Sequence, residues 1–173
     1  MSNCIWFFNE NNQSQLIYPV GRHIGVRHTA TNSMRFLKQA DTIIDVTAMA
    51  LSPNNWFLAV CERHRGNLST FISFYDLKFF TWEKVHINVS ETEPTSQKTI
   101  KSIAFSSENK HIAVIIQGAE CKAIAWEWYN KNKPRIIGQY EFNKHIIDKI
   151  SFSPKESHLV CTSGHAHWKL WKP

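Results

Sequence analysis

The densest set of side chains able to hold a metal is His158-x-x-Cys161-x-x-x-His165-x-His167. Imidazole and thiolate are donors that zinc takes in tetrahedral array, but this spacing matches no standard zinc pattern. If residues 158–162 and 167–171 are paired strands joined through Ser163-Gly164-His165, alternation turns Cys161 away from His158. The set then reads as turn and strand histidines beside a buried thiol. Cys61 and His64 supply only two donors, too few to hold an ion. No metal or cofactor is expected.

Catalytic patterns are equally absent. The chain has no G-x-S-x-G elbow, no phosphate-binding G-x-x-x-x-G-K-[ST], no G-x-G-x-x-G and no H-E-x-x-H. Asp and Glu number only 14, and residues such as Glu62, Glu91, Glu93 and Glu108 fall at expected turns or exposed strand ends. Such positions do not suit a paired acid and base, so the chain is read as a non-enzyme.

Two basic segments remain as candidate partner contacts: Arg63-His64-Arg65, and Lys131-Asn132-Lys133-Pro134-Arg135. Each reads as a surface loop able to reach an acidic surface, tubulin tails for example, by Coulomb attraction. The formal net charge is +6, and residues 121–173 carry nine Lys/Arg against four Asp/Glu. With seven Trp in the chain, bases could stack on aromatics beside the second loop, which makes a basic module for nucleic acid or a ribonucleoprotein the alternative reading. Trp126 and Trp128 share one strand face, however, and Trp168 and Trp171 flank the analogous strand. All four read as packing residues.

The elements that must position these loops repeat along the chain. Thr47-Ala-Met-Ala-Leu-Ser-Pro53, Lys101-Ser-Ile-Ala-Phe-Ser-Ser107 and Lys149-Ile-Ser-Phe-Ser-Pro154 align, and each is followed by Trp56–Val60, His111–Ile115 or His158–Cys161. A third strand then comes at Phe71–Leu77, Ala123–Trp128 or His167–Trp171. Each copy reads as strand, tight turn, strand, loop, strand. Fourth strands are expected around Trp82–Ile87 and Arg135–Tyr140, with polar loops at 88–99 and 129–134. A weaker unit precedes them, with strands at Cys4–Phe8, Leu16–Pro19, Ile24–Arg27 and Met34–Leu37. Ser52, Ser106 and Ser153 are spaced by 54 and 47 residues, a little above the ~40–45 of a WD-type propeller blade.

In the first strand of each copy, large residues (Met49, Leu51; Ile103, Phe105; Ile150, Phe152) alternate with small ones (Ala48, Ala50; Ala104; Ser151). Such a strand is buried on both faces, and the small face lets a neighbouring sheet come close. The expected fold is all-β: a partial WD40-like β-propeller of about four four-stranded antiparallel meander blades, its ring not closed. The approximate units are 1–40, 41–90, 91–143 and 144–173, the last incomplete.

A composition of 43% hydrophobic and 20% charged residues fits a globular domain rather than a disordered or collagen-like chain. No apolar run nears the roughly 18–20 residues of a membrane span, so no membrane is expected as partner. The N-terminus lacks a basic leader region, so the three N-x-S/T sequons beginning at Asn12, Asn67 and Asn88 are not expected to carry glycans. Scattered Cys4, Cys61, Cys121 and Cys161 suit a reducing compartment.

Ala50-Leu-Ser-Pro53, Tyr75-Asp76 and Trp126-Glu127 resemble degenerate WD repeats. The succession Trp6-Phe-Phe-Asn-Glu10, Ile17-Tyr-Pro-Val-Gly-Arg-His23, Ala50-Leu-Ser-Pro-Asn54 with Phe57-Leu-Ala59, Ile103-Ala-Phe-Ser106, Trp126-Glu-Trp128, Ile150-Ser-Phe-Ser-Pro154 and Val160-Cys-Thr-Ser-Gly164, leading to Lys169-Leu170, is narrower. It resembles the start of the cilia- and flagella-associated protein fifty-seven family. The resemblance implies an axonemal scaffold built of β-propellers followed by coiled coils. Such a scaffold helps place inner dynein arms and regulatory complexes on doublet microtubules. It also implies axonemal partners and a place in the cytoplasm, the cytoskeleton and the cilium or flagellum. Ser107 stands where the family pattern has a second Pro, and four units precede Pro173 with no heptad-patterned helix. Self-association, or completion of the ring by another chain, is therefore expected.

Overall fold

A computed structural model of the chain describes residues 6–10, 13–65, 70–79, 81–89, 99–118, 121–128, 135–142 and 146–173. For residues 6–10, 13, 82–86, 88, 135–137 and 139–142 the description is of the backbone. The first sheet holds β1 (Trp6–Glu10), β2 (Gln13–Val20), β3 (His23–His28) and β4 (Met34–Phe36). The second holds β5 (Ile43–Leu51), β6 (Phe57–His64), β7 (Thr70–Asp76) and β8 (Thr81–Asn88). The third holds β9 (Thr99–Phe105), β10 (His111–Gln117), β11 (Cys121–Glu127) and β12 (Arg135–Phe142). The fourth holds β13 (Ile147–Phe152), β14 (Val160–Gly164) and β15 (His167–Trp171), with no fourth strand beside β15 among the described residues. Each sheet is an antiparallel meander whose neighbours are consecutive in sequence.

The serine turns set the register. Ser52 donates its N–H to the Phe57 carbonyl at 2.8 Å, and its Oγ accepts the Phe57 N–H at 2.9 Å. Ser106 makes the same pair with His111, at 2.9 and 3.0 Å. Asn55 and Asn109 occupy the left-handed region in these turns, with φ of 61° and 60°, a conformation that asparagine tolerates better than most residues. Ser107 in place of proline leaves this turn unchanged. The third turn is one residue longer, closing from the Ser153 N–H to the Leu159 carbonyl at 2.8 Å, while Ser153 Oγ accepts the Lys155 and Glu156 N–H groups.

Alternating face size organises the stacking. Ala48, Ala50, Ala59 and Cys61 of the second sheet form one buried cluster with Ile103, Phe105, Ile112 and Trp126 of the third. On its other face the second sheet turns Met49, Leu58, Val60 and Tyr75 toward Ile17, Ile24 and Val26 of the first. Between third and fourth sheets, Ala113, Ala123 and Ala125 meet Ile150, Val160 and Trp171. In the last two joints large residues of the following sheet thus meet alanines of the preceding one, with Ile72 and Phe74 beside the alanines of the second sheet, whereas the first sheet meets the second through Ile17, Ile24 and Val26. Leu58, Ile112 and Val160 hold equivalent register positions and are all 0% exposed; burying one such side chain contributes roughly 1.5–3 kcal/mol. Among the described residues, no buried cluster joins the first sheet to the fourth.

The first strands of neighbouring sheets run in the same direction. The Ile150 N–H donates to Ser102 Oγ at 3.2 Å and Lys101 Nζ lies 3.3 Å from Asp148, tying the starts of β9 and β13. Ser157 donates to Glu108 at 2.8 Å, tying the turns that follow. The arc therefore has a proximal rim, where β5, β9 and β13 begin, and a distal rim carrying the serine turns.

Replacing Ala113 by Leu would force methyl groups into the joint between the third and fourth sheets. The expected cost is about 1–3 kcal/mol, read as a lower urea midpoint. An unchanged midpoint would contradict the close-stacking account.

Candidate interaction surface

Counting strands assigns every loop to a rim. In a meander the second-to-third connection lies at the proximal rim and the third-to-fourth at the distal rim. Arg63, His64 and Arg65 close β6, so they are proximal; Arg135 opens β12, so it is distal. Lys131 and Lys133 lie outside the described residues. Arg63 and Arg65 therefore lie on the opposite rim from Arg135, a relation that loop sequences alone do not reveal.

The three residues of the first segment differ in role. Arg63 reaches Asp45 at 3.3 Å, with both side chains more than a third exposed, a pairing worth about 0–1 kcal/mol. Arg65 is exposed, and its N–H is fixed to the Thr42 carbonyl at 2.8 Å. His64 is turned inward. Its Nδ1 lies 2.9 Å from Thr42 Oγ1, its Nε2 stands 3.5 Å from Glu62, and its ring meets Phe71 edge-on at 4.9 Å. His64 thus belongs to the fold and the arginines to the surface. Among the residues whose side chains are described, Arg22, Lys38, Lys101 and Lys122 share this rim, and they outnumber Asp41, Asp45 and Asp148 there even before Arg63 and Arg65 are added.

Glu62 departs from expectation. Instead of an exposed strand end it occupies a buried site, 1% exposed. Leu58, Val60 and Glu62 alternate onto the face that packs on the first sheet, so the carboxylate is carried under cover. Tyr75 donates to Oε1 at 2.8 Å and Ser73 to Oε2 at 2.5 Å, which replaces the lost water. Burial, then the adjacent carboxylate, holds the Tyr75 hydroxyl well above its ordinary pKa. The signal was the period-two run Leu58-x-Val60-x-Glu62, matched by Ser73-x-Tyr75 on the facing strand. Glu108 is exposed in its turn as expected; Glu91 and Glu93 lie outside the described residues.

The His/Cys set is dispersed. β14 begins at Val160, and its hairpin turns on His165-Ala166 rather than on 163–165. His158 therefore belongs to the distal turn and His165 to the proximal rim, separated by roughly 13 Å of strand. Cys161 is half-buried rather than buried. His158 instead neighbours His111, with ring centroids 5.9 Å apart; burial, then this neighbour, lowers the His111 pKa. Among the described residues no three His, Cys, Asp or Glu gather to hold a metal. Trp126 and Trp128 are buried as packing residues and Trp171 nearly so, but Trp168 is 68% exposed.

Stacked meanders with these joints make the chain a WD-type β-propeller arc. Its backbone is similar to the Cps50 (Swd1) β-propeller domain of Myceliophteria thermophila, with a TM-score of 0.72 and 13% identity over 96% of this chain and 52% of that one. A chain of the Mitotic Checkpoint Complex is also similar, with a TM-score of 0.65 and 11% identity over 91% of this chain and 43% of that one. In sequence the chain is similar to the mouse (Mus musculus) cilia- and flagella-associated protein 57, 24% identical over 170 residues. The match takes in 98% of this chain and 13% of that relative's length. No protein-family model matches.

Replacing Glu62 by Ala should cost about 3 kcal/mol, because two buried hydroxyls lose their acceptor. Tyr75 keeps its proton in the folded state. Its contribution is therefore fully present below pH ~10 and lost as pH rises, when the unfolded chain ionises first. Tyr75→Phe should flatten that alkaline loss of stability in urea titrations; an unchanged slope would sink the assignment.

Proposed function

We propose that the chain is part of a non-enzymatic protein-interaction scaffold of the ciliary or flagellar axoneme. In this reading it presents its proximal rim to acidic partners and helps to position inner dynein arms and regulatory complexes. The observation that carries the axonemal reading is the colinear match to the mouse cilia- and flagella-associated protein over nearly the whole chain. The rigid arc supports the scaffold reading. Propeller loops vary without disturbing the stacked core, and they leave a broad rim for contacts.

The rim supplies the chemistry. Arg63 and Arg65, with Arg22, Lys38, Lys101 and Lys122 around them, form a field suited to glutamate-rich segments such as tubulin tails. Arg65 is the exposed contact, and Arg63 exchanges Asp45 for a partner carboxylate. Arg135 on the distal rim is a separate contact, and Lys131 and Lys133 of the same segment are candidates with it.

Two measurements test the proposal. A tagged chain expressed in ciliated cells should locate to the axoneme, and absence from cilia would overturn the assignment. Binding of a glutamate-rich tubulin tail peptide should weaken about tenfold at low salt in R63E/R65E, with the difference shrinking as salt screens the field. If instead RNA or DNA binds tightly and salt-sensitively, and that binding is lost on removing Lys131, Lys133 and Arg135, the nucleic-acid reading replaces this one.

A further inference from the structure

The first strands of the last three sheets are interrupted at the same place. Counting back four residues from Leu51, Phe105 and Phe152, which lie opposite Leu58, Ile112 and Val160, gives Thr47, Lys101 and Asp148. Each is the extra residue of a β-bulge. Its neighbours stay in register: Val46 and Ala48 with Glu62 and Cys61, Ile100 and Ser102 with Ile116 and Ile115, Ile147 and Lys149 with Gly164 and Ser163. A bulge takes one side chain out of the alternation and re-aims it. In the third and fourth sheets the re-aimed residues have opposite charge. Lys101 Nζ and Asp148 Oδ1 meet at 3.3 Å across the joint, with the two side chains 31% and 58% exposed. In the second sheet the position holds Thr47, whose hydroxyl donates to the Cys61 carbonyl at 3.4 Å.

Another bulge, at Ile44, precedes Asp45 in the same strand. Asp45 lies opposite Arg63, and its Oδ2 accepts from a single guanidinium nitrogen at 3.3 Å. A guanidinium presents its donors as a fork that fits both oxygens of a carboxylate. Asp45 engages one prong only. The Arg63 Nε is buried, and among the described residues no hydrogen bond satisfies it. Arg63 is therefore held, but held poorly.

We propose that the proximal rim carries its own stand-ins for an acidic partner: Asp45 covers Arg63, Asp148 covers Lys101, and the partner's carboxylates bind by displacing both. The inference rests on the reading of this rim as a contact for acidic segments, and it adds how that contact is kept closed. Exposed ion pairs are weak, so displacement is easy. A carboxylate laid along the Arg63 fork also gains the hydrogen bond that Asp45 does not make. The stand-ins select as well as close. A tethered aspartate has a high effective concentration beside its cation, so an isolated carboxylate competes badly with it. A segment dense in glutamate presents several carboxylates at once and displaces the two aspartates together.

Fluorescence anisotropy of a labelled glutamate-rich tubulin tail peptide, titrated at low salt with the 173-residue chain, tests the proposal. D45N and D148N should each tighten binding about threefold. D41N makes the same change of charge on the same rim but belongs to neither pair, so its gain should be much smaller. In an R63Q background D45N should gain no more than D41N does. Circular dichroism would confirm that each variant folds. Equal gains from D41N, D45N and D148N would reveal only the summed field of the rim and overturn the proposal, as would a D45N gain that survives R63Q. A peptide that binds neither the wild type nor any of the Asn variants would overturn the reading of the rim itself, and this inference with it.

Discussion

Everything in this molecule depends on how closely two β-sheets can approach. Face-to-face sheets normally pack about 10 Å apart, and radial stacking asks for tighter contact near the axis. Ala48, Ala50 and Ala59 allow it by leaving room for Phe105, Ile112 and Trp126. The aromatic filling follows from that geometry. Trp128 stacks on Phe74 at 4.3 Å with the rings 6° apart, meets Phe57 and Phe105 edge-on, and donates its indole N–H to the Asn109 carbonyl. In the last two joints the large residues of the first strands, Ile103, Phe105 and Ile150, face back onto forward-facing alanines, which gives the stack a polarity. The rims and their charges are consequences of that polarity.

The same constraint explains what the sequence discloses and what it hides. Strand positions, serine turns and the size asymmetry of Met49 and Leu51 against Ala48 and Ala50 are local patterns, and they can be read along one strand. Glu62 is different. Its residue type argues for solvent, and only the pairing of β6 with β7, together with the first sheet lying across that face, shows that it is covered. Trp168 misleads in the opposite sense. A tryptophan beside a buried equivalent looks like core, yet among the described residues no sheet covers its face and it is 68% exposed. The distance between His158 and His165 depends on a strand boundary two residues from the expected one. Arg63–Arg65 read as a loop in sequence, yet Arg63 and His64 end β6 and Arg135 opens β12, and their rims become visible only after the strands of each sheet are counted.

The buried carboxylate and the two arginines follow one another from the end of β6 into the turn beyond it and answer to different physics. Glu62 is held by hydroxyl donors in a setting without water, where each hydrogen bond to a charge counts strongly. Arg65, three residues on, lies in water, where its pairings are weak and exchangeable. His64 stands between them and links Thr42 at the start of β5 to the Glu62 site. The rim is thus mobile in its charges but fixed in its backbone.

One property follows from the three separate inter-sheet clusters. Among the described residues each buried cluster joins a sheet to its immediate neighbour, so cohesion is shared out along a line and not gathered in one centre. The inner two sheets are gripped from both sides and the outer two from one. Under load or heat the molecule behaves as a short stack of cards, with a stiff middle and ends that peel first.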